Sequence, residues 1–158
     1  MDFVSGIATA SLGHANDAVA KAISKQAAIL IGTSNLYYTV PQAMLAKRLV
    51  ELSGMGKCFF SNSGAEAIEA AIKLARKRTG RKEIISTING FHGRTIGALS
   101  ITGKEKIREP FEPLMPGAKF IPYNDSVALF DSISDETAAF VVEPIQGEAG
   151  IIVPSKGY

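Results

Sequence analysis

The segment Ser61-Asn62-Ser63-Gly64-Ala65-Glu66-Ala67 has the residue types and spacing to hold an anion. It follows the apolar run Cys58-Phe59-Phe60 and opens an Ala/Ile-rich stretch that reads as a helix. A strand, a tight Ser/Gly turn and a helix N-terminus direct free backbone N–H groups toward one point, and phosphate is the commonest occupant of such a place. Gly64 permits close approach, and the amides of Gly64 and Ala65 could each hold a phosphate oxygen. Ser63 and Glu66 equally have the S-x-x-E spacing of a plain capping box. No Gly-Lys-Ser/Thr follows, so the segment is not a P-loop, and the G-x-G-x-x-G spacing of a dinucleotide fingerprint is absent.

Two further segments carry chemistry. Phe91-His92-Gly93-Arg94 follows a β-branched run. An aromatic there offers a face to a planar ring, and an Arg three residues on offers a fork to a carboxylate. The same residues also read as a core Phe, a satisfied turn His and a solvated Arg. Val141-Val142-Glu143-Pro144-Ile145-Gln146-Gly147-Glu148 places Glu143 at the end of an apolar strand, with Gln146 and Glu148 in a Gly-bounded loop. A carboxylate buried there needs a partner or a ligand; at a strand end already on the surface it needs neither. Tyr37 and Tyr38 in a loop could line a pocket or simply pack. His14 and His92 lack metal-ligand spacing, and Cys58 among apolar residues reads as a buried structural thiol.

The elements that position these segments alternate. Asn16 or Asp17 can cap a helix to about Ile29. Thr39-Val40-Pro41-Gln42 has capping-box spacing and starts a second helix through Leu52. Lys57 to Ser61 reads as a short strand, and Ala65 to Thr79 as a third helix ended by Gly80, with Glu69 and Lys73 paired on its outer face. Strands are expected over Glu83 to Ile88, Lys119 to Tyr123 and Ala138 to Ile145, with a short helix from Ser126 to Ile133. Met1 to Gly13 reads as extended, and Glu109 to Pro116 as a surface loop. Apolar strands alternating with helices predict an α/β fold: a mainly parallel sheet covered by helices on both faces. In such a sheet ligands gather beyond the carboxyl ends of the strands, where all three chemical segments fall.

The chain has 158 residues, 46% hydrophobic and 20% charged, enough for one domain with a real core. A net charge of +2 without a basic stripe argues against nucleic acid as a partner. A single cysteine fits a reducing, cytoplasmic setting. No run approaches the roughly 20 apolar residues of a membrane span.

Gly6-Ile7-Ala8, Leu12-Gly13-His14, Thr33-Ser34-Asn35-Leu36-Tyr37-Tyr38, Ser63-Gly64-Ala65-Glu66-Ala67, Phe91-His92-Gly93-Arg94 and Val142-Glu143-Pro144-Ile145-Gln146-Gly147-Glu148 occur in this order. Together they resemble the class III pyridoxal-phosphate aminotransferases, the acetylornithine branch most of all. The resemblance implies the fold type I architecture of those enzymes, with about residues 1–40 as an N-terminal segment and 41–158 as part of the large cofactor-binding domain. It implies pyridoxal 5'-phosphate as cofactor, with Gly64 and Ala65 on its phosphate, Phe91 stacked on its ring, and Ser63, His92 and Glu143 around it. Arg94 would clamp the substrate carboxylate. Glu148 would pair with a mobile Arg later in such chains, and Tyr38 would shape the substrate pocket, often across a homodimer interface.

The implied activity is transfer of an amino group from N-acetylornithine to 2-oxoglutarate in arginine synthesis. Ornithine, 4-aminobutyrate and succinylornithine are alternative donors. In the family the Schiff-base Lys and the Asp on the pyridine nitrogen follow the Glu-Pro-Ile-Gln-Gly-Glu loop, beyond Tyr158, so no catalytic Lys is assigned here. The isolated chain is therefore expected to show no turnover, and its unpaired strands and broad apolar surface predict poor solubility or a molten state. A catalytically dead cofactor-binding or assembly remnant is the rival expectation.

Overall fold

Asn16 begins the first regular helix because its side chain replaces a missing helical acceptor. Asn16 Oδ1 accepts from the N–H groups of Ala18 and Val19 at 3.1 and 3.2 Å, opening α1 (Asp17–Ala27). In this computed structural model, which describes residues 1–158, α1 belongs to a unit spanning Met1–Cys58, and a second unit spans Phe59–Tyr158. The first unit also holds α2 (Val40–Ser53), with Pro41 in its first turn and Gly54 in a left-handed C-terminal cap at φ 71°. Thr39 makes no side-chain cap bond, so the capping box expected there does not form.

The expected extended N-terminus is instead a left-handed turn, with φ between 51° and 61° over Ser5, Gly6, Ile7 and Ala8. Asp2 holds it, accepting from the N–H groups of Val4 and Gly6 and bonding His14 Nε2 at 2.7 Å. Those bonds, His14 first, keep the Asp2 carboxyl below its ordinary range. No side chain of this unit is buried; Val19, Ile23, Leu45 and Leu52 are all exposed.

The second unit carries the sheet. After α3 (Gly64–Thr79) the chain forms β1 (Glu83–Thr87), α4 (Ile96–Ser100), α5 (Glu105–Arg108), β2 (Ala118–Ile121), α6 (Ser126–Ser132) and β3 (Thr137–Phe140). The three strands are parallel in the order β2-β1-β3. Alternate residues of a strand face opposite sides, and Ile84, Ile85, Ser86 and Thr87 are all buried, so both faces of β1 are covered. On one face Ile84 packs with Ile72 of α3 and Ile101. Each such buried isoleucine contributes on the order of 2 kcal/mol. On the other face Gln146 Nε2 donates to Thr87 Oγ1 at 3.1 Å.

Several boundaries differ from expectation for physical reasons. Lys57 to Ser61 is not a strand, because no neighbouring strand supplies a ladder. β2 stops before Pro122, which has no N–H to give. β3 stops at Phe140; Val141 makes one more bond to Ile85 and the chain then turns at Glu143-Pro144. Glu69 does not pair with Lys73. Its Oε1 accepts from the N–H groups of Gly97 and Ala98 at 2.9 and 3.2 Å and caps α4. No helix is long and apolar enough to cross a membrane.

Candidate functional site

Ser63 adopts an extended conformation and its Oγ accepts from Glu66 N–H at 3.2 Å, which starts α3. Glu66 returns its carboxylate to Asn62, where Oε2 accepts the backbone N–H at 2.7 Å. The Asn62 side chain and backbone bonds hold the Glu66 carboxyl below its ordinary range. The capping box thus exists, shifted by one residue. The amides of Gly64 and Ala65 remain without a protein partner, and open space lies where a Gly64 side chain would be. The capping box and the anion cup are therefore compatible: the box satisfies one end of the turn and leaves two donors free.

The turn after β1 presses against this helix start. A Cβ on Gly93 would lie 2.8 Å from Ala65 Cβ and 3.0 Å from Ala98 Cβ, and Gly93 has φ +134°. Only glycine allows that approach. Phe91, in the same turn, is half-buried, and its N–H donates to Glu143 Oε1 at 2.8 Å. Glu143 Oε2 accepts from Gly147 N–H at 3.0 Å. The carboxylate at the end of β3 is thus spent on two backbone amides, one on each flanking loop. Tyr123 braces the same corner, its hydroxyl 3.1 and 2.9 Å from the carbonyls of Glu143 and Pro144.

His92 points inward. Its Nε2 lies 3.1 Å from Ser86 Oγ, its N–H donates to Thr102 Oγ1 at 3.1 Å, and it is 8% exposed. Burial pushes the imidazole below its ordinary value, with the Glu143 charge opposing the shift. A depressed histidine makes its full contribution above the unfolded value of about 6.5 and loses it as pH falls toward the folded value. The denaturation midpoint should be level above about pH 6.5 and fall below it, whereas His92→Gln should flatten that fall. Equal slopes for the two proteins between pH 6.5 and 5 would refute the assignment.

Arg94 is exposed, with Cζ 5.8 Å from the Phe91 ring centroid. Glu148 is also exposed, and its carboxylate lies 3.7 Å from Lys104 Nζ. Tyr38 belongs to the Met1–Cys58 unit, where its ring is fully exposed. Cys58 is half-buried and its Sγ approaches the Ala46 carbonyl at 3.7 Å. The structure thus brings Ser63, Gly64, Ala65, Phe91, Gly93 and Glu143 together at one end of the sheet. Sequence reasoning missed Glu69, Gln146 and Lys104 as supports. Glu69 was visible in principle: it falls one helical turn from both Ala65 and Ile72, on the buried stripe of α3.

A parallel α/β sheet with two free helix-start amides and an aromatic face at its carboxyl ends has the donors and the surface that a phosphate-bearing cofactor needs. The sequence profile described as Aminotransferase class-III matches residues 1–158, and the chain belongs to that family. It is similar to the acetylornithine aminotransferase of Methanocaldococcus jannaschii, 54% identical over 164 residues that cover 100% of this chain and 41% of the relative. The enzyme of the same name from Methanothermobacter thermautotrophicus is 52% identical, with 100% and 40% covered. Among solved structures it resembles the ornithine aminotransferase of Toxoplasma gondii, with TM-score 0.93, 35% identity, and 99% and 39% covered; that protein carries PLP at partial occupancy in its active site. It also resembles the taurine:2-oxoglutarate aminotransferase of Bifidobacterium kashiwanohense in complex with PLP and glutamate, with TM-score 0.89, 29% identity, and 100% and 42% covered. The chain spans about two fifths of the length of the curated relatives it matches. The family resemblance and the parallel α/β fold expected from the sequence are borne out.

Proposed function

We propose that residues 1–158 form the N-terminal part of a pyridoxal 5'-phosphate-dependent transaminase that transfers an amino group from N-acetylornithine, or a similar ω-amine, to 2-oxoglutarate. The pathway is arginine biosynthesis, the compartment the cytoplasm and the assembly a homodimer. The observation that carries the reading is the pair of unpartnered amides at Gly64 and Ala65, locked beside the Phe91 turn by the Gly93–Ala65 contact. Two free donors at a helix N-terminus fit a phosphate. The half-buried Phe91, whose backbone Glu143 fixes, fits a planar ring. The bound cofactor supplies the electron sink for amino transfer.

The chain's own residues bind and orient. Gly64 and Ala65 hold the phosphate from the backbone, and Ser63 fixes the helix start that aims them. Phe91 provides the ring's stacking face, while His92 anchors that turn from beneath. Glu143 sets the distance between the turn and the Gly147 loop. Arg94 supplies a guanidinium for the substrate carboxylate, and Glu148 flanks it. Identities of 50% and above to several acetylornithine aminotransferases favour that donor over ornithine, for which the structural match reaches 35%.

The test is made on the complete transaminase carrying this segment, assayed with N-acetylornithine, ornithine, 4-aminobutyrate and succinylornithine; preference for another donor would replace the first. Gly64→Pro isolates the cup. Proline is tolerated at the first helical position; it removes an N–H that no protein group uses and sets its ring in the space Gly64 leaves open, so both effects act on the phosphate. Loss of one charge-assisted bond, about 1.5–3 kcal/mol, should weaken pyridoxal phosphate about ten- to a hundredfold with far-UV helicity unchanged. Unchanged affinity would show that the phosphate lies elsewhere.

A further inference from the structure

Lys104 is tied to the same centre as the proposed pocket. It immediately precedes α5, and its ammonium donates to the Glu148 carbonyl and stands 3.7 Å from Glu148 Oε2. Its side chain is 26% exposed, against 53% for Glu148. Both residues start from fixed backbone. Gly103, just before Lys104, donates its N–H to the Gly90 carbonyl at 2.8 Å and accepts from Asn89 N–H at 3.1 Å. A Cβ on Gly103 would sit 2.0 Å from the Thr87 carbonyl oxygen, so this crossing admits no side chain. Asn89 and Gly90 lead directly into Phe91. On the other side, Glu148 follows Gly147, whose N–H Glu143 holds. The ion pair therefore ties the Glu148 loop to the segment before α5, whose Gly103 is bonded to the turn that Glu143 also holds.

The geometry points to Lys104 as a positioning residue that sets how the pocket receives its dicarboxylic oxo-acid, by holding and partly neutralising Glu148. The inference rests on the reading that Glu148 faces the substrate. A fixed carboxylate beside the pocket repels a substrate that brings a second carboxylate, and it does not repel the amine end of a donor. A lysine pinned on both the Glu148 carbonyl and its carboxylate limits that repulsion and stops the loop from swinging the charge further in. Lysine suits this role because its ammonium donates to the carbonyl while its compact charge stands beside the carboxylate, on a stem that begins on rigid backbone.

The experiment uses the complete transaminase carrying Lys104→Met, Lys104→Arg, Glu148→Gln and the Met/Gln double variant. KM and kcat are measured separately for N-acetylornithine and 2-oxoglutarate, together with the melting temperature. Lys104→Met should raise the 2-oxoglutarate KM about fivefold, the scale of one partly exposed ion pair. The donor KM should stay within about twofold, because only the oxo-acid brings a second carboxylate. Lys104→Arg should restore most of the loss, and in the Glu148→Gln background Lys104→Met should add nothing. A lowered melting temperature with kcat and both KM values changed alike would reduce Lys104 to a structural tie and overturn the proposal. So would a KM shift that persists undiminished when Glu148 is neutral. If Glu148→Gln itself leaves the oxo-acid KM unchanged, the pocket reading fails. If Glu148→Gln shifts that KM and Lys104→Met does not, the Lys104 inference alone fails.

Discussion

Glu143→Ala is expected to lower the melting temperature by about 5–10 °C and to weaken pyridoxal phosphate at least about tenfold. The carboxylate accepts Phe91 N–H through Oε1 and Gly147 N–H through Oε2, at 2.8 and 3.0 Å. Each is a charge-assisted bond worth about 1.5–3 kcal/mol when dry. Glu143 is only half-buried, so water takes over part of each bond, and about 2–3 kcal/mol in total is the reasonable loss. The functional loss follows because the same bond fixes the backbone of Phe91. Glu143→Gln discriminates between charge and shape. A carboxamide has one acceptor oxygen and one donor NH2 in place of two acceptors, so it can serve Phe91 or Gly147 but not both. It should fall between wild type and Glu143→Ala in melting temperature and in cofactor affinity. A Gln variant equal to wild type in both would show that the paired-acceptor account is wrong.

What could be read from the sequence was local. Caps and terminators act within one helical turn, so Asn16, Ser63 and Gly80 marked α1 and α3 to within a residue or two. The run Glu83 to Ile88 identified β1 because four of its six residues are β-branched and favour a strand. Local pattern failed where the deciding partner was distant. Lys57 to Ser61 has strand composition but no ladder, and nothing within the segment reveals that. Glu69 sits at the right spacing for a pair with Lys73, yet two amides 28 and 29 residues away claim it. An exposed i,i+4 pair is worth only a few tenths of a kcal/mol, so a charged cap on a buried helix start wins.

The candidate site shows the same division. Its three segments were recognisable separately, since each lies just beyond a strand or opens a helix. Their joining was not. The Glu143–Phe91 bond spans 52 residues and the Lys104–Glu148 contact 44. His92 shows the reverse case. Its place beside Phe91 suggested the cofactor, while its ring turns toward Ser86 in the core. Adjacent residues of a tight turn point to opposite sides, so one neighbour meets the ligand side and the other the sheet. That partition follows from backbone geometry, and residue type does not reveal it.

Gly93→Ala is the second large expectation: a loss of about 2–5 kcal/mol in stability, together with loss of the anion cup. Two independent costs add. At φ +134° an L-residue is strained, on the order of 1–2 kcal/mol. The new methyl would also lie 2.8 Å from Ala65 Cβ, 3.1 Å from Ala65 Cα and 3.0 Å from Ala98 Cβ, and overpacking of this kind typically costs about 1–3 kcal/mol. None of those atoms is the far end of a flexible side chain. Ala65 is part of the α3 backbone, so relief requires the helix start itself to move, and the Gly64 and Ala65 amides move with it. The two costs can be separated. Ala65→Gly added to Gly93→Ala removes the 2.8 Å contact and should recover much of the steric share and part of the cofactor affinity. The φ strain and the 3.0 Å contact with Ala98 Cβ should remain, leaving the double variant at least about 1–2 kcal/mol below Ala65→Gly alone. Denaturant melts and pyridoxal-phosphate titrations of the four proteins close the cycle. A Gly93→Ala protein within about 0.5 kcal/mol of wild type would mean that the turn does not depend on this contact. Full recovery in the double variant would place the entire cost in the contact and none in the backbone.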